Sequence, residues 1–537
     1  MKILVGVKLV PVASEVRFVA GLNRLDREAV RSEMNAFDGR ALAWARALRR
    51  GGEGRPGGDR PDQVVAFTMG PPQAAEVLES ALALGADRAV HLVDMRFAGA
   101  DTLATARALA QLCRREEPDL VLLGRIATDG GTAQVAPQMA ELAGLPVVTE
   151  AVAIELAGDR LAIRRQAAGS LERWLVPLPA VVSIDGLPEP GGEDGPATDP
   201  GREPAGAVEI LDADALGGDG AGYGIRGSAT YVQRIDPAPP RPTRRVVTDP
   251  STCAEILASL AATPADAGPA RPVPPAPIAA PTAAAPAGRR AGREIWALVE
   301  GDGTGDLHRL AAEAIACAAQ VAGPLRAQVV SVLLGEPGPG TVDRLGAAGA
   351  DRILVARSCR LAAARSTEAE VDALAAMVAT RSPVAVVGPW TTGGRQLVPR
   401  VAARLGMGCT GDMVGLDTSP RPGAEGAVDP VWLKPAWNGT VVARVVARSP
   451  VAMGTLRPGG VRPLVPTPER RAPVEVVDVD VDDRGRHATA PVLAGSSPLP
   501  GHSPALDDAS VVVCVGRRAA ASLPALATAI VLAYIPR

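Results

Sequence analysis

Short, unbroken apolar runs alternate along the chain with longer Ala/Leu-rich stretches of helical spacing. Val64–Phe67, Ala89–Val93, Asp119–Leu123 and Ala180–Ile184 read as buried strands, and the opening Lys2–Lys8 as a first one. Ala41–Arg49, Gln73–Leu84, Thr102–Arg115 and Ala133–Ala143 read as helices. Later in the chain the alternation resumes. Ile295–Val299, Gln328–Leu334, Arg352–Val355 and Val384–Val387 are predicted strands, and Ala311–Val321, Glu368–Thr380 and Gln396–Leu405 predicted helices. Strand–helix alternation with continuously apolar strands predicts an α/β fold on doubly wound parallel sheets.

The two series share sequence. Gly85-Ala86-Asp87-Arg88 returns as Gly349-Ala350-Asp351-Arg352, 264 residues on. Val135-Ala136-Pro137-Gln138-Met139-Ala140 returns as Leu397-Val398-Pro399-Arg400-Val401-Ala402, 262 residues on. Two matches at nearly one offset predict a duplication into two homologous domains. Between them, eight prolines in Pro264–Pro286 mark a Pro/Ala-rich linker that cannot bury a core. Pro188–Gly206 and Ser496–Pro504 read as looser stretches.

Composition removes several function classes. The 537 residues are 47% hydrophobic, enough for sizeable cores. A net charge of −3 and 2% aromatics leave neither the footprint nor the stacking surface of a nucleic-acid binder. Six dispersed cysteines without a CxxC, and four scattered histidines, predict no metal site, cluster or dithiol motif. The opening apolar run is too short for a signal peptide. The uncharged run Ala519–Ile535 is short for a membrane span and contains Pro524. These features predict a cytoplasmic protein without direct membrane insertion.

In an open parallel sheet, ligands bind beyond the carboxyl ends of strands. The loop after Asp119–Leu123 runs Gly124 to Gln134 with adjacent Gly130 and Gly131, then Thr132, and leads into a helix. Close backbone approach, a hydroxyl and a helix start make a candidate phosphate cradle, although neither GK[ST] nor GxGxxG is present. An ordinary strand–helix turn is the competing reading. Asn35-Ala36-Phe37-Asp38 precedes a helix and offers an N-cap. In the second half, Gly388–Arg395 reads as the same turn kept for structure. His91 and Cys514 read as packed side chains. No nucleophile–base pair emerges, which favours a carrier or binding protein over a hydrolase.

With these residues in hand, the chain resembles an electron transfer flavoprotein with its beta and alpha subunits fused. Residues 1–260 resemble the beta subunit through Lys2–Lys8, Met34–Asp38, Gly70–Gln73, Ala81–Arg88, Asp119–Gly124 and Val176–Val182. After a linker at 261–293, residues 294–465 resemble the alpha amino-terminal domain through Pro399–Gly406, Lys434–Gly439 and Met453–Gly459. Residues 466–537 read as a connector and the truncated start of the FAD-binding domain, of which Gly516 and Arg517 match the first motif. The resemblance implies two lobes of the adenine nucleotide alpha hydrolase-like superclass. It further implies an electron carrier rather than an enzyme, working with FAD, and with AMP or a second FAD in the beta-like site. A flavoprotein dehydrogenase would be the donor and a quinone-reductase-type protein the acceptor. Gly6, Asn35, Ala36, Phe37, Asp38, Met69, Asp129, Gly130, Thr132, Ala133, Gln134 and Val135 would line the beta-like site. Thr128–Pro137 and Gly224–Thr230 are closer to the electron-bifurcating version. Ala36 stands where the family has Pro, Gly131 where it has an acid, and Ala229 where it has Pro. The partner-recognition position, Asp185–Gly192, lacks a basic, apolar anchor. A nucleotide-binding remnant, a hydrolase or sensor of this superclass, and a scaffold remain alternatives.

Overall fold

Seven parallel strands form the spine of each lobe, laid out in one shared order. In the computed structural model, residues 1–12, 15, 17–19, 24–26, 30–50, 62–167, 169–188, 208–238, 292–300, 310–362, 367–421, 423, 426–437, 439–480 and 490–498 are described. The Pro264–Pro286 linker, Cys514, the Ala519–Ile535 run, Gly516 and Arg517 lie outside them. The first lobe's strands are Lys2–Gly6, Gln63–Met69, Arg88–Leu92, Leu120–Gly124, Val147–Ala157, Ala180–Ile184 and Val208–Leu211. The second lobe's are Glu294–Val299, Gln328–Leu334, Arg352–Arg357, Ala385–Pro389, Gly408–Met413, Ala452–Leu456 and Val474–Asp478. Counted in chain order within each lobe, both sheets read 7-3-2-1-4-6-5. All these neighbours run parallel. Helices cover both faces, so central strands are apolar on both sides; Ile3, Leu4 and Val5 are all fully buried.

Most expected elements are present, with ends moved by local chemistry. The helix expected from Ala41 starts at Ala36, directly after buried Asn35. The one expected from Ala133 starts at Val135, because Ala133 adopts a left-handed φ of 51°. The one expected from Gln396 starts at Thr392, since the Thr391 hydroxyl accepts the Gly394 N–H at 3.0 Å and caps it.

Antiparallel arms were not expected. After its fifth strand the first lobe inserts a hairpin, Arg160–Ala167 and Ser170–Pro177. The second inserts Gly415–Pro420, Val428–Ala436 and Val441–Ala447. The lobes then exchange strands. Thr230–Pro237 of the first pairs with Val441–Ala447, and Val492–Pro498 pairs with Ser170–Pro177. Val474–Asp478 also differs from expectation. It lies in the stretch read as a connector, yet it forms the edge of the second sheet, with alternate residues Val474 and Val476 exposed.

Equivalent helices meet at the lobe junction. Thr392–Leu405 packs on Val135–Ala143. Gln396 reaches the first lobe's fifth strand, its Oε1 accepting from Thr149 N at 3.2 Å and its Nε2 donating to Val147 O at 3.4 Å. Its counterpart Gln134 reaches the matching residues of the other lobe. With its amide turned to satisfy both groups, it donates to Cys409 O at 3.1 Å and accepts from Gly411 N at 2.9 Å. The junction is thus a near two-fold pairing of one duplicated unit.

Candidate functional site

Strand order reverses direction between the first and fourth strands of each sheet, and a ligand crevice opens beyond such a reversal. In the first lobe Asp38 closes its floor. One carboxylate oxygen accepts the Lys8 N–H at 2.9 Å, just past the first strand, and the other the Gly124 N–H at 3.2 Å, ending the fourth. Gly124 has to be glycine, because a Cβ there would lie 2.2 Å from the Asp38 oxygen. Burial pushes the Asp38 carboxyl up to about 7, against the pull of Asn35 and these two amides. The native state therefore holds a proton that the unfolded chain has released above its ordinary pKa of 3.8. Asp38 makes stability fall as pH rises from about 4 to about 7. Asp38→Asn should flatten that slope in urea unfolding curves recorded across the window; an unchanged slope would refute the assignment.

The expected phosphate loop curls over this floor. Lys8 Nζ holds the Asp129 carboxylate at 2.7 Å. Beyond Asp129 the backbone is bare. A Cβ on Gly130 or on Gly131 (φ 57°) would meet nothing within 4 Å. The Thr132 hydroxyl has no partner among the described residues. Val135 begins the helix, whose first N–H groups have no intrahelical acceptor. Asn35 is fixed by its Nδ2, which donates to Ile126 O at 3.0 Å, while its buried Oδ1 meets no donor among the described residues. Open backbone and free donors at a helix start suit a phosphate group, and the orphaned acceptor leaves a place for a ligand donor.

The other expected residues divide into two groups. Phe37 and Met69 are half-buried, and Ala36 is exposed. Arg40 and Arg125 lie over the Phe37 ring, at 4.6 and 4.9 Å from its centroid. Gly6 serves packing, since a Cβ would lie 2.4 Å from Leu123. The Gln134 side chain belongs to the lobe junction. His91 is packed as expected: 2% exposed, its Nε2 is 3.3 Å from Gly70 O, and burial lowers its pKa.

Sequence reasoning missed the residues that hold this loop from outside. Lys434, on an arm of the second lobe, donates from Nζ to Gly131 O at 3.0 Å and to Gly411 O at 2.7 Å. Burial lowers its pKa to about 8, against the pull of Asp412. Lys434 is one of three lysines among 56 basic residues, a signal open to the sequence. A compact ammonium suits two converging carbonyls better than a planar guanidinium. Glu150 and Arg395 form a further junction pair at 2.6 Å. Burial works to raise the Glu150 carboxyl, but Arg395 overcomes it and holds it below its usual value.

The second lobe shows what such a crevice becomes when it is filled. Glu300 lies six residues past the start of its first strand, as Lys8 does in the first lobe. Its carboxylate accepts the Thr391 hydroxyl hydrogen and occupies the space over Gly393, where a Cβ would lie 2.3 Å from Oε1. An acid thus stands where the first lobe leaves room for an anion, in keeping with a turn kept for structure.

Comparison with known proteins agrees with this doubled arrangement. The electron transfer flavoprotein domain family matches residues 23–216 and again 295–482. The electron transfer flavoprotein subunit beta of Thermoanaerobacterium thermosaccharolyticum is 38% identical over 235 residues, 43% of this chain and 86% of its own length. Protein FixA of Azorhizobium caulinodans is 35% identical over 274 residues, 49% of this chain and 93% of its own. The caffeyl-CoA reductase-Etf complex subunit CarD of Acetobacterium woodii is 35% identical over 263 residues, 48% of this chain and 96% of its own. No helix among the described residues is long and apolar enough to cross a membrane.

Proposed function

Because the chain belongs to the electron transfer flavoprotein family, whose members carry electrons, we propose that it relays them through bound FAD. The donor would be a flavoprotein dehydrogenase and the acceptor a quinone-reductase-type protein. FAD, when bound, supplies the redox chemistry. The chain's own residues bind and position.

The carrying observation is the asymmetry between the two crevices: open over Gly130 and Gly131, closed by Glu300 over Gly393. N–H groups at the start of Val135–Ala143 and the Thr132 hydroxyl would take the phosphate. Asn35–Asp38 and Met69 would face the adenosine. Lys8 and Lys434 would keep the loop in place through Asp129 and Gly131 O. AMP and the adenylate half of FAD carry the same adenosine phosphate, so this cradle suits either.

The absorption spectrum of the purified chain, with nucleotide quantified after heat release, tests the reading. One or two FAD per chain is the expected result. AMP without flavin would favour a nucleotide-binding remnant, ATP turnover without flavin a hydrolase, and no nucleotide a scaffold. Any of these three would overturn the relay.

A further inference from the structure

A polar cavity lies in the first lobe, away from the crevice. A cavity of about 490 Å³ lies between helix Thr102–Glu116, Leu142 at the end of the next helix, and the segment Gly217–Gly227. Its charged and polar lining comes from Arg107, Gln111, Arg114, Asp219, Tyr223 and Arg226. None of the residues lining it belongs to the cradle around Asp38 and Gly130.

Its arginines differ from those around them. On the same lobe Arg88 pairs with Glu116 and Glu209, Arg96 with Asp94 and Asp214, and Arg115 with Glu209. Arg107, Arg114 and Arg226 form no ion pair among the described residues. Arg107 Nη1 donates to Gly227 O at 2.7 Å, and Arg114 donates from Nη1 to Gln111 Oε1 at 3.0 Å and from Nη2 to Leu142 O at 2.5 Å. Each keeps further N–H donors. Arg226 is exposed and makes no hydrogen bond among the described residues. Asp219 is the one acid in the lining, and its carboxylate accepts the Ala221 N–H at 2.9 Å.

The wall facing these arginines carries three glycines, Gly218, Gly222 and Gly227. Gly218 has a φ of 83°, and a Cβ there would lie 2.8 Å from the Tyr223 oxygen. Over Gly222 a Cβ would lie 3.4 Å from Arg107 Cδ, on the arginine side of the cavity. Backbone can therefore approach a ligand closely, as phosphate-binding loops require. Three uncompensated guanidiniums against one carboxylate call for an anion of more than one negative charge, and planar guanidiniums match phosphate oxygens. The volume exceeds the needs of a single phosphate and falls within the usual range of small-ligand sites.

We propose that this cavity binds an anion carrying two or more linked phosphate groups. Its occupancy would reach the lobe junction. Arg107 holds Gly227 O, while Arg448 of the second lobe holds Ile225 O at 2.7 Å and Ser228 O at 3.1 Å. The same segment continues into Thr230–Pro237, the strand lent to the second lobe.

Isothermal titration of the full chain tests this, with AMP in excess so that the crevice cannot be the site. Pyrophosphate, triphosphate and orthophosphate are the probes, at about 0.15 M salt to screen loose surface binding. Pyrophosphate or triphosphate should bind at least about tenfold tighter than orthophosphate. R114E/R226E should weaken that binding by about tenfold or more while leaving the circular dichroism and AMP affinity unchanged. Arg226→Gln alone, at an exposed position, should weaken it by a smaller factor in the same direction. Equal binding to the wild type and R114E/R226E would overturn the proposal. So would no binding of either linked phosphate, or binding that excess AMP abolishes.

Discussion

Arg400→Leu is expected to lower the unfolding free energy by about 3 kcal/mol or more, the largest loss from any single side chain at the lobe junction. Arg400 is 2% exposed and stands between Glu141 of the first lobe and Glu368 of the second. Its guanidinium lies 2.9 Å from Glu141 and also bonds Glu368. Burial disfavours its charge, but the two carboxylates overcome this and raise its pKa. Leucine would fill similar space and leave both acids buried, at 5% and 4% exposure. Glu141 would keep Arg404, at 2.8 Å, so Glu368 would lose most. The cost belongs to the bare charge rather than to the missing bond. R400L/E368Q should therefore recover a good part of the loss. Urea unfolding monitored by tryptophan fluorescence would decide the point. A loss under about 1 kcal/mol for R400L would mean that water already reaches the cluster.

That cluster also shows what the sequence could and could not convey. Arg400 is the repeat counterpart of Gln138, and the two lie on equivalent helices that pack together. Strand runs and helix spacing gave most of the parallel framework, because burial on both faces leaves an unbroken apolar signature. The arms were illegible. A strand such as Arg160–Ala167 mixes Arg164, Arg165 and Gln166 with apolar residues, and its partners at the junction lie in the other lobe. Local pattern carries no record of partners over 200 residues away. The crevice was half legible. Gly130, Gly131 and Thr132 announce a loop that backbone can bring close to an anion. Nothing local says that Glu300 fills the duplicate crevice, or that Lys434 reaches across to Gly131 O. Such contacts follow from the strand order, which sets Lys8 and Glu300 at matching places, and from the docking of one copy on the other.

Gly130→Asp should abolish nucleotide retention while leaving the fold intact. Gly130 has no positive φ, and a Cβ there meets nothing within 4 Å, so the free protein can accept a side chain. An acid near the start of a helix is even mildly favourable. The bound state is another matter. A carboxylate about 4 Å from a phosphate, at an effective dielectric of about 20, repels it by about 4 kcal/mol, and screening leaves a loss of roughly two to three orders of magnitude in affinity. Gly130→Ala separates shape from charge: it adds a Cβ without a charge and should cost about tenfold or less if phosphate rests against that backbone. Glu300→Gln, in the filled crevice, should leave nucleotide content unchanged. Nucleotide released by heat, set beside the unfolding midpoint of each variant, reads both sides of the argument. If Gly130→Asp keeps its nucleotide with an unchanged midpoint, the phosphate lies elsewhere and the asymmetry between Lys8 and Glu300 has another cause.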